Sequence, residues 1–291
     1  MRHRGRLRPG ARARREHRQS SRLPGCPRRG RIPLSLAWWN GRTAPADEVR
    51  IPPDDSGFLF GDGLFETLRV DDGRARDVEA HLDRLLAGLR RVEIELPDNR
   101  QALERAVEEI AAAAPRPVAR MRLTVTRSTR LLTTVAYEPP EIVTACLLPQ
   151  YRIDSRGPLA GLKSLSYQTN RLALREAESR GAWEALLMNE QGRLVEGSRS
   201  NLAVVMGDRV VTPPESDGCV PGTVRRRLLE KGVIEERSLS PEDLMAGEVL
   251  LMNSLIGVLP VSRIDGLTAQ PLQRLEGHED HRPNRPRETR P

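Results

Sequence analysis

The 291-residue sequence has few cysteines and no long apolar segment, and each shortage excludes a class of protein. Cys26, Cys146 and Cys219 are too few and too scattered for a disulfide framework or a thiolate zinc site. We therefore expect a cytoplasmic protein, from a reducing compartment, with no metal site. No segment approaches the roughly 18 apolar residues that cross a membrane, which excludes a transmembrane protein.

Lysine is also scarce, because only positions 163 and 231 carry it among 47 basic residues. Arginine cannot replace lysine where a neutral amine is needed, as in Schiff-base chemistry. If the protein forms an imine with a carbonyl cofactor, Lys163 and Lys231 are the two candidates.

The net charge of +7 is unevenly distributed along the chain. Residues 1–32 contain twelve arginines and one acid, Glu16, so the remaining residues sum to −4. The high isoelectric point therefore does not indicate that the main body of the protein binds nucleic acid.

Residues 1–33 are rich in arginine, proline and glycine and have almost no apolar periodicity, so we expect a disordered extension. A secretory signal is excluded, because no apolar region follows the basic start. A transit peptide, a nucleic-acid-binding arm and a start site assigned too far upstream are the alternatives. No aromatic residues interleave with the arginines, which disfavours a nucleic-acid partner.

The rest of the chain predicts a mixed α and β protein with two lobes. Residues 34–150 are expected to form an N-terminal α+β domain, because helical spacing follows His81 and strict alternation covers 118–126. Residues 151–276 are expected to form a second domain, with Pro149–Ala160 as the linker. Residues 277–291 are expected to be a disordered tail.

Four features of the second half could belong to one site. They are Lys163 in GLKSLSYQTN, Glu196 in LVEGSRSNL, Gly222-Thr223 at a helix start, and Asn253-Ser254 at a strand end. Taken singly, each has an ordinary explanation: a solvated lysine, a surface acid, a turn.

The chemistry of pyridoxal phosphate accounts for the whole set. Its aldehyde needs a lysine amine, and its pyridine nitrogen needs a carboxylate that keeps the nitrogen protonated. Its phosphate needs backbone N–H groups at a helix start, together with hydroxyls and a cation.

The wording and order of these motifs resemble the class IV, pyridoxal-phosphate-dependent aminotransferases. That family includes branched-chain aminotransferases, D-amino acid aminotransferases and aminodeoxychorismate lyase. The segments that carry the resemblance are DDSGFLFGDGLFETLRV, HLDRLLAGL, LKSLSYQTNRLALREAESRGAWEALLMNEQGRLVEGSRSNLAVV, TPPESDGCVPGTVRRRLLE and LMNSLIGVLPV. The resemblance implies a two-lobed fold, with a small N-terminal α+β domain, a larger C-terminal barrel-like α/β domain, and the cofactor at their junction. It also implies a homodimer.

The resemblance assigns a role to individual residues. Lys163 resembles the Schiff-base lysine and catalytic base, and Glu196 the partner of the pyridine nitrogen. The implied phosphate contacts are Arg84, Thr223, Val224 and Ser254, and Gly222 and Asn253 beside them are also expected to bind the cofactor. Phe65 and Arg127 fall where relatives line the substrate pocket and bind a carboxylate.

Three differences from the family concern the site. The usual Gly-Ile-Thr-Arg is Gly222-Thr223-Val224-Arg225 here, so the hydroxyl moves by one residue. The usual Asp-Arg-Gly is Asp55-Ser56-Gly57. The glycine-rich loop expected after Arg127 is replaced by STRLLTT.

Among the remaining residues, Lys231 is interpreted as a favourable charge at a helix end. Tyr167 is either a cofactor contact or a packed ring.

Lys163 would act as the base both in transamination and in the lyase reaction, so it does not separate them. LMNSLIGVLPV is similar to the pattern of aminodeoxychorismate lyases, which favours that reaction over an amino acid aminotransferase. The substrate in either case is a small amino compound.

Overall fold

Two β-sheets organise the part of the chain that the structure describes. The computed structural model describes residues 36–265 and the backbone of Leu267–Thr268. The predictions for the extension at 1–33 and the tail at 277–291 lie outside these residues. Within the described residues, no helix is long and apolar enough to cross a membrane.

The first sheet has six strands, all in antiparallel pairs, in the order β2-β1-β6-β5-β3-β4. Its strands are β1 (Leu36–Trp39), β2 (Arg42–Pro45), β3 (Gly63–Asp71), β4 (Arg74–Ala75), β5 (Val118–Thr126) and β6 (Arg130–Ala136). The helices of this stretch are α1 (Ser56–Phe60), α2 (Val78–Arg91) and α3 (Arg100–Ala112). The turn predicted at Asn40-Gly41 is confirmed, because both residues have a positive φ and join paired strands.

The predicted amphipathic pattern forms the core of the first sheet. Strand β5 buries Met121, Leu123 and Val125 completely, while Arg120 and Arg122 point to the other face. The apolar stripes of α2 and α3 pack on the buried face through Leu82, Leu85, Leu89, Leu103, Val107 and Ile110. Each of these side chains contributes roughly 1.5–3 kcal/mol by leaving water.

The second sheet has nine strands, in the order β12-β11-β10-β13-β14-β7-β8-β9, with β15 paired to β14. Its strands are β7 (Val143–Ile153), β8 (Glu184–Asn189), β9 (Leu194–Gly197), β10 (Asn201–Met206), β11 (Arg209–Thr212), β12 (Glu235–Glu236), β13 (Val249–Asn253), β14 (Gly257–Ile264) and β15 (Leu267–Thr268). The helices are α4 (Gln168–Ser179) and α5 (Thr223–Glu230). Strand β7 runs parallel to β14 and β8, which places it in the middle of the sheet.

The linker predicted at Pro149–Ala160 is wrong for its first five residues. Strand β7 continues to Ile153, and its pairing with β8 resumes at Arg152 after an irregular stretch. Pro149 lies in that stretch, where its missing N–H costs no ladder hydrogen bond. The boundary predicted at 150/151 therefore falls inside a strand, and the division into two domains stays a prediction.

The segment STRLLTT, which replaces the glycine-rich loop of the family, is mostly a strand. Only a tight turn at 127–129 precedes β6, which pairs with both β5 and β1. Leu132 and Thr134 face inward, and the β-branched threonines and Val135 favour extended backbone.

A buried carboxylate holds this turn against α1. Asp55 lies at the N-cap of α1 and accepts a hydrogen bond from the Phe58 N–H at 2.9 Å. It also accepts from the hydroxyls of Thr126 and Ser128, both at 2.6 Å, and of Thr129 at 2.7 Å. Burial alone would raise the pKa of Asp55, but these hydrogen bonds outweigh it and lower the pKa to about 2.

Replacing Asp55 with alanine should lower the free energy of unfolding by about 2–3 kcal/mol, because buried hydroxyls lose their acceptor. The stabilisation from the lowered pKa is present above the ordinary pKa of 3.8 and is lost as the pH falls toward 2. Urea unfolding at several pH values checks both effects. Equal pH dependence of the wild type and Asp55→Ala between pH 5 and pH 3 would contradict them.

Candidate active site

Backbone hydrogen bonds join Lys163 to the first sheet. The Phe65 N–H donates to the Lys163 carbonyl at 2.9 Å, and the Leu165 N–H donates to the Gly63 carbonyl at 2.8 Å. A Cβ at Gly63 would lie 2.4 Å from the Val125 carbonyl oxygen, so this close crossing requires glycine. The segment of Lys163 thus lies antiparallel beside the start of β3 and pairs with it.

The Lys163 side chain points into a cavity of about 580 Å³. Phe65, Glu66, Arg84, Pro221 and Thr223 are among the residues that line it. The Lys163 Nζ lies 4.5 Å from the centroid of the Phe65 ring. Burial, reinforced by the positive charge of Arg84, lowers the pKa of Lys163, although Glu66 and Glu196 oppose the shift. A lowered pKa provides the neutral amine that Schiff-base formation needs.

Glu196 is a buried acid on β9 that is hydrogen-bonded to the residue before Pro221, and Pro221 lines the cavity. Its Oε2 accepts from the Val220 N–H at 3.0 Å and from the Asn201 Nδ2 at 3.2 Å. Burial raises the pKa of Glu196, whereas the Val220 hydrogen bond and the charge of Lys163 act in the opposite direction. A cation bound beside Glu196 would therefore favour its ionised form.

Arg84 faces the cavity rather than solvent, since its side chain is 13% exposed. Its Nε and Nη2 donate to Glu66 at 2.8 and 2.6 Å, and its Nη1 donates to the Pro221 carbonyl at 2.8 Å. The first sheet and the start of α5 therefore meet through one guanidinium group. The predicted contact of Arg84 with phosphate stays a prediction.

The start of α5 offers backbone donors without a side-chain cap. Gly222 is the N-cap, and no side chain hydrogen-bonds the first turn. Thr223 and Val224 are buried there, and Thr223 lines the cavity. A Cβ at Gly222 would lie 1.9 Å from the Asn201 Oδ1, so the chain can approach this closely only with glycine. Free N–H groups at a helix start bind anions well.

Asn253 and Ser254 do not line the cavity in this structure. The Asn253 Oδ1 accepts from the backbone N–H groups of Leu255 and Ile256, at 2.8 and 3.1 Å. The Ser254 hydroxyl donates to the Thr67 carbonyl on β3, at 2.6 Å. Asn253 thus fixes the shape of the β13–β14 turn, and Ser254 holds that turn against the first sheet. Their predicted cofactor contacts stay predictions.

The two predicted substrate residues differ in their burial and in their distance from the cavity. Phe65 is buried beside Lys163, and its ring packs edge to face on Tyr167, with centroids 5.3 Å apart. Arg127 is half-exposed and pairs with Asp62 at 3.0 Å, away from the residues that line the cavity. The Tyr167 hydroxyl donates to the Ser198 carbonyl, so its proton is already used.

Sequence reasoning missed three charged residues, and two of them, Glu66 and Arg122, act on Lys163. Glu66 accepts hydrogen bonds from His81 and Arg84 in the cavity wall. The guanidinium carbon of Arg122 lies 3.7 Å from the centroid of Phe65. Glu184 is fully buried, and Ser198 and Ser200 donate to it. In the sequence, each of these residues is a charged residue on a strand with apolar neighbours. That pattern does not reveal which residues each of them contacts.

An amine, a guanidinium, the carboxylate of Glu66 and a helix start thus line one cavity, and a second buried carboxylate, Glu196, is hydrogen-bonded to the residue before Pro221. These residues fit pyridoxal phosphate, because each polar part of that molecule has a counterpart of the right charge. Among residues 36–265, no cluster of histidine, cysteine, aspartate and glutamate could hold a metal ion.

Comparison with known proteins agrees with this chemistry. The sequence profile of the amino-transferase class IV family matches residues 63–264. The chain is 27% identical over 252 residues to the D-alanine aminotransferase of Bacillus licheniformis, covering 79% of this chain and 88% of that protein. It is 31% identical over 247 residues to the bifunctional aminodeoxychorismate lyase / D-amino acid transaminase of Mycobacterium tuberculosis, covering 73% of this chain and 85% of that protein.

A solved structure shows the same fold. The pyridoxal-phosphate-bound form of a hypothetical aminotransferase from Mycobacterium tuberculosis superposes with a TM-score of 0.73. The two are 27% identical, and the match covers 81% of this chain and 93% of that one. The protein therefore belongs to the class IV aminotransferases, which are pyridoxal-phosphate-dependent enzymes. The predicted family, fold class, enzyme class and cofactor are confirmed.

Replacing Lys163 with alanine should abolish covalent capture of pyridoxal phosphate, because no other lysine is near the cavity. Borohydride reduction of the loaded protein, followed by peptide mass spectrometry, locates the attached cofactor. Lys231→Ala is the matched control, since that exposed lysine follows α5 and should not affect capture. A reduced adduct on the Lys231 peptide would contradict the assignment.

Proposed function

We propose that the protein is an aminodeoxychorismate lyase, which converts 4-amino-4-deoxychorismate to 4-aminobenzoate and pyruvate. The alternative is an amino acid aminotransferase of the same family, acting on D-amino or branched-chain acids. The Mycobacterium tuberculosis relative carries both lyase and transaminase activities in its name, so the two reactions are compatible with one scaffold.

The observation that carries the proposal is an uncompensated positive charge beside Lys163. Arg120 and Arg122 lie on the same face of β5, and Arg122 stacks on Phe65, which also contacts Lys163. Neither arginine has a carboxylate within ion-pair distance among the described residues. Burial and the like charge of Arg120 lower the pKa of Arg122 to about 10.

Such a cluster favours an anionic substrate. Opposite Arg120 on the neighbouring strand is Arg69, whose own charge is paired with Asp71 at 2.8 Å, so the positive charge left for a substrate is that of Arg120 and Arg122. Aminodeoxychorismate carries two carboxylates, whereas a branched-chain amino acid carries one and needs an apolar wall for its side chain. A transaminase with a dicarboxylate partner would share the preference, so the products must separate the two reactions.

In either reaction, the residues in and around the cavity would have separate roles. Lys163 Nζ would accept the proton from the substrate Cα, because burial lowers its pKa toward the physiological range and so favours the neutral amine that acts as a base. Arg84, Gly222, Thr223 and Val224 would hold the phosphate, and Glu196 would hold a proton on the pyridine nitrogen. Pyridoxal phosphate, when bound, supplies an electron sink that makes the Cα proton acidic.

Phe65 and Arg122 would then orient the substrate. The Phe65 ring shields the amine from water on one side, and the Arg122 guanidinium binds a substrate carboxylate. Carboxylate recognition by arginine is strong because the contact combines charge with two hydrogen bonds.

Purified protein loaded with pyridoxal phosphate should release 4-aminobenzoate and pyruvate from aminodeoxychorismate. Arg122→Met should reduce kcat/KM by roughly 10- to 100-fold, the effect of losing a charged hydrogen bond. Arg156→Met, at a position on the exposed surface, is the matched control. Chromatography of the products identifies the reaction. Oxo-acid-dependent amino transfer from D-alanine or leucine, without 4-aminobenzoate, would establish the alternative.

We also propose that the enzyme is a homodimer and works in the cytoplasm. Helix α1 exposes three consecutive apolar side chains, Phe58, Leu59 and Phe60, which are at least half exposed. Contiguous apolar residues on a surface indicate an interface.

The cytoplasmic location is supported by cysteine chemistry. The free thiols of Cys146 and Cys219 fit a reducing compartment.

The double variant Phe58→Ser, Phe60→Ser should shift the protein from dimer to monomer, because it removes the apolar area that a second copy would cover. Sedimentation equilibrium gives the mass of each protein. Ile142→Ser, at another exposed apolar residue, should leave the mass unchanged. A monomeric wild type would contradict the proposal.

A further inference from the structure

A single buried carboxylate, that of Glu66, binds Arg84 in the wall of the cavity. Glu66 lies in the middle of β3 and is 1% exposed. Its Oε2 lies 2.7 Å from the His81 Nδ1 and accepts from the Arg84 Nη2 at 2.6 Å. Its Oε1 accepts from the Arg84 Nε at 2.8 Å. Both oxygens of Glu66 are therefore committed to two residues of α2.

Glu66 is ionised in spite of its burial. Desolvation would raise its pKa, but the charge and hydrogen bonds of Arg84 and the hydrogen bond of His81 lower it to about 2. A buried ion pair is usually no more stabilising than well-packed apolar side chains. The stability of the first sheet therefore does not explain why a carboxylate lies among apolar residues here.

The carboxylate of Glu66 fixes the orientation of the Arg84 guanidinium. A guanidinium has five N–H donors, one on Nε and two on each terminal nitrogen. Glu66 takes one from Nε and one from Nη2, and the Pro221 carbonyl takes one from Nη1. One N–H remains on each terminal nitrogen, and the plane of the group is fixed at the cavity beside Thr223.

His81 in turn fixes Glu66. An ionised carboxylate only accepts hydrogen bonds, so the Nδ1 of His81 carries the proton that it shares with Oε2. The Nε2 of His81 is buried and has no hydrogen-bond partner among the described residues, so the contact with Glu66 is the one polar contact of the ring there. Glu66 is thus held from a second direction while Arg84 occupies its other side.

We propose that Glu66 is a positioning residue that orients Arg84 for the phosphate of the cofactor, and that His81 keeps Glu66 in place. The proposal rests on the assignment of Arg84 to the phosphate made under the proposed function. Because Glu66 is negative, its direct electrostatic effect on a phosphate is repulsive. A merely electrostatic role and a positioning role therefore predict changes of opposite sign.

The experiment compares pyridoxal phosphate with pyridoxal, which lacks the phosphate but still reacts with Lys163. The affinity ratio is defined as the dissociation constant of pyridoxal divided by that of pyridoxal phosphate, both measured with the apo-protein. It isolates the contribution of the phosphate. Arg84→Ala should lower the affinity ratio strongly, and Glu66→Gln should lower it roughly tenfold, the effect of one charge-assisted hydrogen bond. Glu66→Gln should add nothing further in the Arg84→Ala background.

Asp98→Asn is the matched control, because Asp98, in the loop between α2 and α3, forms a partly buried ion pair with Arg130 on β6 at 2.8 Å. It should leave the ratio unchanged. A ratio that is unchanged or higher in Glu66→Gln, while Arg84→Ala lowers it, overturns the positioning role alone. A ratio that Arg84→Ala does not lower overturns the phosphate assignment and the positioning role together.

A second pair of variants covers the case in which Glu66→Gln does not fold. His81→Leu removes the donor and should lower the ratio several-fold, whereas His81→Asn keeps a donor near the position of Nδ1 and should restore it. Equal ratios in His81→Leu and the wild type overturn the part of the proposal that concerns His81.

Discussion

The site depends on the backbone pairing between the start of β3 and the segment of Lys163. Two hydrogen bonds, from Phe65 to Lys163 and from Leu165 to Gly63, connect chain segments that are about a hundred residues apart in sequence. Backbone pairing of this kind fixes both position and direction, so the lysine side chain and the Phe65 ring are set relative to each other. The glycine at position 63 permits the approach, because any Cβ there would collide with the Val125 carbonyl.

A second connection complements the first. Arg84 binds Glu66 on β3 and the Pro221 carbonyl before α5, so the helix start is tied to the first sheet. The cavity is enclosed between these two connections. The charges of Arg84, Arg122, Glu66 and Glu196 all act on Lys163, the basic residues and the acids in opposite directions. In a poorly solvated cavity, such an arrangement controls protonation more strongly than it would in water.

Most of the fold could be predicted from the sequence. The helical spacing after His81 and the alternation in 118–126 correctly indicated α2 and β5, because one apolar face is a strong constraint on either element. The extension of β7 and the strand β6 were missed. The extension of β7 was missed because it contains Pro149. Strand β6 was missed because its polar threonines form a strand through neighbours that are distant in sequence.

The site was predictable where the chemistry is tied to rare residues. Lysine occurs twice in the chain, and Lys163 has the setting that an imine requires. Glu66 could not be singled out, because its partners lie 15 and 18 residues away and a lone acid on a strand usually indicates a surface position. Arg122 is one of many arginines, and only its stacking on Phe65 distinguishes it from Arg127.

The most direct test of the account is a crystal structure of the protein loaded with pyridoxal phosphate. The account predicts a covalent bond from Lys163 Nζ to the cofactor, with the phosphate within hydrogen-bond distance of Arg84 and the N–H groups of Thr223 and Val224. It also predicts that Arg84 keeps both hydrogen bonds to Glu66. A phosphate bound away from α5, or an Arg84 turned away from Glu66, would contradict it.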